Sequence, residues 1–152
     1  VMVAMFTERA VEPTFFDGDY LLIDEFTLRV RDPERGETVV FRYPLNKDQF
    51  FIKRIIGMPG EQVSYDRGSI KIVGPEGTRT IDEAYLRKGG AAIDFFAPVE
   101  LSDRQYFVLG DNRSKSFDSR NWGAVHRQDI VGIARVRVFP FTAFALFDAP
   151  AY

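Results

Sequence analysis

Apolar residues along this chain recur at every second position in short runs, and the runs are separated by clusters of turn-forming residues. Asp17-Gly18-Asp19 precedes a strand predicted over 20–24, and Pro33-Glu34-Arg35-Gly36 precedes one over 38–41. A strand over 49–56 is closed by Gly57-Met58-Pro59-Gly60, while 62–65 and 69–73 flank Asp66-Arg67-Gly68 and read as a hairpin. Further strands are predicted over 106–109, ending at Gly110, and over 130–139, where Ala134, Val136 and Val138 share one face and Arg135 and Arg137 the other. Only 81–87 has helical character. The pattern predicts an all-β fold of mostly antiparallel sheets with a distorted, barrel-like core. Residues 64–104 are richer in Gly, Pro and charge, so the core is expected over 1–63 and 105–152, with 64–104 as a small inserted β-rich elaboration.

The strand over 49–56 contains an anomaly. Strict alternation puts Phe51, Lys53 and Ile55 on one face and Ile52, Arg54 and Ile56 on the other. Each face thus carries one cation among hydrophobes, and periodicity alone leaves open which is buried. A lysine here either snorkels, with its stem packed and its head wet, or is buried. A buried ammonium is disfavoured, and its pKa falls from about 10.4 toward the range where it serves as a general base near neutral pH.

Composition narrows the chemistry. The chain has 152 residues, 45% hydrophobic and 28% charged, enough for one domain with a real core. A net charge of −2 with no basic block argues against nucleic acid as a partner. With no cysteine and one histidine (His126), disulfides, thiolate or histidine metal sites and a Ser-His-Asp triad are not expected, nor is any metal or cofactor.

Phenylalanine is the unusual residue, with 15 copies, several of them adjacent: Phe15-Phe16, Phe50-Phe51 and Phe95-Phe96, then Phe139, Phe141, Phe144 and Phe147. Most are expected in the core. Phe95-Phe96, behind Gly89-Gly90-Ala91-Ala92, and the late cluster are candidates for an exposed aromatic patch that would suit a membrane surface or a peptide groove. No stretch reaches the roughly 20 apolar residues of a membrane span, and no signal peptide is visible. The opening Val1-Met2-Val3-Ala4-Met5-Phe6 reads as a strand whose upstream sequence has been cut away.

Four blocks in order resemble the type I signal peptidases, membrane-anchored serine proteases with a Ser/Lys dyad. Ala10-Val11-Glu12-Pro13-Thr14 is similar to the nucleophile segment, and Arg35-Gly36-Glu37-Thr38-Val39-Val40-Phe41 to the strand that follows it. Phe51-Ile52-Lys53-Arg54 with Gly57-Met58-Pro59-Gly60 is similar to the lysine block. Gly110-Asp111-Asn112-Arg113 through Ser116, Asp118-Ser119-Arg120 and Trp122-Gly123 is similar to the last block.

The resemblance implies that Lys53 is the general base and that Ser116 hydrogen-bonds its amine and orients it. It implies further that Asp111 pairs with Arg54, and Asp118 with Arg120, to hold the lysine strand and last block in register. Substrate would add as a strand near residue 10 and Phe51-Ile52, with Val11, Phe15, Val40, Phe51 and Ile52 walling shallow pockets for small residues. The implied partners are signal peptides of secreted pre-proteins and a lipid surface. The implied location is the outer face of the cytoplasmic membrane, with the anchor helix outside this chain.

The resemblance breaks at its centre. The family has serine where this chain has Ala10, and a methyl group cannot form an acyl-enzyme. Thr7 and Thr14 stand at the wrong motif positions to substitute. Val11 replaces a usual methionine, and Glu8 puts a carboxylate near the oxyanion position, where it opposes developing negative charge. The chain as written is expected to be inactive. The intact Lys53, Ser116, Asp111 and Asp118 favour an engineered serine-to-alanine exchange over a natural module that binds signal peptides or membrane without cutting. A self-cleaving repressor of the related Ser/Lys kind is disfavoured by the Gly110–Arg120 block and by the absence of a DNA-binding segment.

Overall fold

The computed structural model describes residues 2–5, 20–66, 68–81, 96–139 and 145–150. The alternating runs form β1 (Met2–Met5), β2 (Tyr20–Asp24), β3 (Thr38–Tyr43), β4 (Asn46–Gly57), β5 (Gln62–Asp66), β6 (Ser69–Gly74) and β7 (Gly77–Thr80). Then come β8 (Val99–Glu100), β9 (Gln105–Leu109), β10 (Val125–His126), β11 (Ile130–Phe139) and β12 (Ala145–Leu146). Among the described residues, two single-turn α-helices interrupt them, α1 (Thr27–Val30) and α2 (Ser119–Trp122), neither evident from apolar spacing, along with a 3-10 turn at Arg127–Asp129. The chain is mostly antiparallel β, as the alternation predicts.

One sheet has strand order β1-β2-β11-β3-β4-β9-β10, with β12 also paired to β11; a four-stranded sheet has order β7-β6-β5-β8. The larger sheet runs as an open path and does not close into a barrel. The smaller one draws its strands from between Gln62 and Glu100, overlapping the Gly- and Pro-rich stretch.

β4 joins the two sheets. At 12 residues it is longer than the periodicity suggests, because it starts directly after the turn at Pro44-Leu45. Its faces sort by alternation. Ile52 packs with Val40, Leu21, Ile23 and Ala134, whereas Ile55 packs with Val39, Phe41, Tyr106, Val108 and Ile133. Past Ile55, Ile56 enters a third cluster with Val63, Ile70, Ile72, Phe107 and Leu109, which glues the small sheet to the large one. Gly57 stands at that crossing. A Cβ there would press on Val63, on Leu101 at 2.8 Å and on Phe107 at 2.9 Å.

Two expectations fail. Beyond Ala134, the arginines of β11 do not keep to one polar face, because the β11–β2 register shifts between Ala134 and Val136. That bulge turns Arg137 onto the side of its partner Leu21, where it is buried with its guanidinium 5.5 Å from the Phe147 ring centroid. Phe96 is not on an exposed patch: it is 8% exposed and stacks on Phe107 at 5.3 Å, filling space between the sheets. Phe95, Phe141, Phe144 and residues 82–87 of the predicted helix lie outside the described residues.

Candidate active site

Both cations of β4 are buried. Lys53 is 0% exposed and pairs in register with Val39 of β3; Arg54, next to it, faces the other way. The Lys53 amine sits 5.4 Å from the centroid of the Phe51 ring, two residues back on the same face.

Arg54 donates from Nε to Asp111 Oδ1 at 2.8 Å and from Nη2 to Asp111 Oδ2 at 2.6 Å, and from Nη1 to the Gly36 carbonyl at 2.8 Å. The guanidinium fork thus ties β4 to the segment after β9 and to the turn before β3. The same turn donates Gly36 N–H to the Ile55 carbonyl and accepts Ile55 N–H at the Glu37 carbonyl, each at 2.9 Å. Just beyond, Arg35 donates to the Ile56 carbonyl at 2.6 Å and forms an ion pair with Glu61, which also accepts Met58 N–H at 2.8 Å. The C-terminal half of the lysine strand is therefore fixed on both edges, since β9 pairs with it from Arg54 onward.

Asp118 organises the last block. It caps α2 in a reciprocal box with Asn121, accepts Gly110 N–H at 3.1 Å, and accepts Arg120 Nε at 2.8 Å and Nη2 at 2.9 Å. Arg120 also donates to the Arg113 carbonyl at 2.7 Å, and Ser119 Oγ accepts Val108 N–H at 3.0 Å, which locks the loop to β9. Ser116 Oγ is enclosed and makes no hydrogen bond. The expected Ser116–Lys53 hydrogen bond is therefore not formed in this structure, in which the amine lies over Phe51.

Ala10, Val11 and Phe15 lie outside the described residues. Val40 and Ile52, facing each other in register, are fully buried on one side of the sheet, while Phe51 points to the Lys53 side. Val40 and Ile52 thus share one face of the sheet and Phe51 the other. Among the described residues, no cluster of three or more His, Asp or Glu is placed to hold a metal ion, and no helix is long and apolar enough to cross a membrane.

Sequence reasoning missed the aromatic wall around Phe51. Tyr43 packs on Phe51 with centroids 4.7 Å apart, and Trp122 lies 5.8 Å from Tyr43 and 5.7 Å from Phe41. Phe41 meets Phe51 edge-on at 6.3 Å, and Phe117 meets Tyr43 at 6.1 Å. The signal available was alternation, which puts Phe41 and Tyr43 on one face of β3 and Phe51 and Lys53 on one face of β4.

The pattern of the family described as signal peptidase, peptidase S26, matches residues 2–139. This chain belongs to that family. It is 42% identical over 147 residues to a probable signal peptidase I-2 of Synechocystis, covering 93% of this chain and 65% of that protein. It is 34% identical to a signal peptidase I of Leptolyngbya laminosa, covering 91% of this chain and 68% of that protein. Among solved structures it resembles a signal peptidase I from Enterococcus faecalis V583, with a TM-score of 0.55 and 29% identity over 68% of this chain and 97% of the other. The chain therefore spans about two thirds of the length of these curated relatives. Lys53, Asp111, Ser116 and Asp118 all lie within the span shared with the peptidase family.

Proposed function

We propose that this chain is the catalytic domain of a type I signal peptidase, a serine endopeptidase that removes signal peptides after small residues, disarmed at its nucleophile position. The observation that carries this reading is the completely buried Lys53, positioned by a strand fixed on both edges and facing the aromatic wall.

A neutral Lys53 amine would take the proton of a serine at position 10 as that oxygen attacks the scissile carbonyl. It would then return the proton to the departing amine, and the same base would activate water for release of the acyl group. Ser116, whose enclosed hydroxyl has no partner of its own, is suited to accept from the amine once substrate and nucleophile are in place. Arg54–Asp111 and Asp118–Arg120 keep the strand and the loop in register. Substrate would pair along the lysine strand before Arg54, where β9 has not begun to pair with it, with signal peptides of exported pre-proteins as the substrate class. The domain would work at the outer face of the cytoplasmic membrane, in contact with lipid. Ala10 carries no nucleophilic atom, so the chain as it stands would bind without cutting.

Cleavage of a signal-peptide substrate by Ala10→Ser, compared with Ala10→Ser/Lys53→Ala, tests this. Activity is expected to appear with the first change and vanish with the second. Peptide binding without cleavage in a folded Ala10→Ser protein would favour the non-catalytic binding module, with Glu8 and Val11 as the residues that degrade the site.

A further inference from the structure

The outer half of β4 is held by side chains where the ladder fails. Arg42 pairs with Phe50 and Tyr43 with Asn46, so Lys47, Asp48 and Gln49 form a bulge with no partner on β3. β9 takes the other edge of β4 only from Arg54 onward. Every residue from Asn46 to Phe50 is exposed. Within the hairpin, Asp48 N–H donates to Asn46 Oδ1 at 3.2 Å and Arg42 Nη1 donates to the Lys47 carbonyl at 3.4 Å. Lys47 Nζ donates to Asp129 Oδ2 at 2.5 Å.

The contact to Asp129 differs from the others in reach and depth. Asp129 is 82 residues away, at the end of the 3-10 turn Arg127–Asp129, with its side chain 7% exposed. Ile130 pairs with Phe41, and β3 lies between β4 and β11, so the half-exposed Lys47 side chain spans β3 to reach the carboxylate. A carboxylate this enclosed is costly without a partner, which fixes where the ammonium sits.

We propose that Lys47 and Asp129 are positioning residues for substrate. Their ion pair clamps the bulge against the turn before β11 and holds the edge of Phe50–Lys53 in the extended form on which a peptide strand is laid. This rests on the reading of the chain as a signal peptidase domain and goes beyond it, since neither residue lies in the four blocks that resemble the family. A strand that adds to a sheet binds through main-chain hydrogen bonds, so the receiving edge has to be extended and in register. A bulge bends and twists its own strand, and three unpaired residues left loose would carry that twist into Phe50 and Phe51. With the bulge clamped, the edge is ordered before the peptide arrives.

The chain with Ala10 in place serves for the test, because binding is read without cleavage. The probe is a fluorescein-labelled peptide of signal type, with alanine at the first and third positions before its cleavage point. Its affinity is read by anisotropy, alongside amide hydrogen exchange over Phe50–Ile52. Lys47→Met and Asp129→Asn are each expected to weaken binding about tenfold and to speed that exchange in the folded protein. The two changes move the net charge in opposite directions, so a shared weakening is not an effect of charge on the peptide. Lys47→Arg, which keeps the cation and its reach, is expected to bind like the parent. So is Asp48→Ala, which alters the same bulge and spares the ion pair. Asp129 is buried, so Lys47→Met carries the test if Asp129→Asn does not fold. If the parent binds and Lys47→Met binds equally tightly, the clamp is overturned and the proposed function stands. A parent that does not bind the peptide overturns the proposed function, and with it the substrate role of Lys47.

Discussion

Arg54 and Asp111 meet through two parallel hydrogen bonds, of 2.8 and 2.6 Å, with the guanidinium 6% exposed and the carboxylate not exposed at all. A pair this deep holds two segments together at a cost in desolvation, so its value lies in geometry more than in net energy. It joins the strand carrying Lys53 to the loop that carries Ser116 and Asp118.

Removing one partner strands the other. Asp111→Asn and Arg54→Met are each expected to lower unfolding stability by about 3–5 kcal/mol. An apolar double replacement should recover much of that loss. Urea denaturation of the two single variants and the double variant measures it; single losses under about 1 kcal/mol would mean that the pair behaves like an exposed one.

Gly57 and Gly60 close the lysine strand for different reasons, and substitution separates them. At Gly57 the backbone is unstrained but the space is taken by Val63, Leu101 and Phe107, so Gly57→Ala is expected to cost about 1–3 kcal/mol through overpacking. Gly60 has φ +79° and open space, with nothing within 4 Å of where a Cβ would stand, so Gly60→Ala is expected to cost only about 1 kcal/mol, from backbone strain. Trimming a neighbour discriminates between them: Leu101→Ala should lessen the relative penalty of Gly57→Ala and leave that of Gly60→Ala unchanged.

Local pattern carried the strands and the two faces of β4, because both follow from a period of two within one segment. It could not decide whether Lys53 is buried, since that depends on what packs against its face of β4 from other segments of the chain. The aromatic wall was invisible for the same reason: it assembles Phe41, Tyr43, Phe51, Phe117 and Trp122, and only the hairpin register and the α2 cap bring them together. Arg137 was misplaced because one extra residue in a bulge reverses every later side chain. The acidic partners of Arg54 and Arg120 came from family resemblance, as neither spacing nor composition pairs residues 54 and 111.

Phe96 belongs to the joint between the sheets, with Tyr65 and Phe107 at 6.3 and 5.3 Å. Phe96→Ala is expected to cost about 3–5 kcal/mol, read by thermal or urea unfolding. A charged residue there would unfold the joint before it reported on lipid binding. Liposome flotation should therefore compare charged replacements at Phe95, Phe141 and Phe144. Unchanged flotation in those variants would count against membrane contact through these rings.

Tyr106 gives the fold an alkaline limit. Its ring is 2% exposed in the cluster of Val39, Phe41, Ile55 and Val125, and burial, reinforced by the Asp32 carboxylate and offset by Arg127, raises its phenol above the ordinary value of 10.0. The native state therefore keeps its phenolic proton at a pH where the unfolded chain has begun to lose it. Stability from this group is complete below about pH 10 and falls as pH climbs through the raised native value, because the unfolded state binds fewer protons across that window. Tyr106→Phe removes the titration while keeping the ring. Urea midpoints measured from about pH 8 to 11 should fall more steeply for the parent than for Tyr106→Phe, with the two curves parallel below about pH 9. Parallel curves over the whole range would mean that the phenol is as free to ionise in the folded protein as in the unfolded chain.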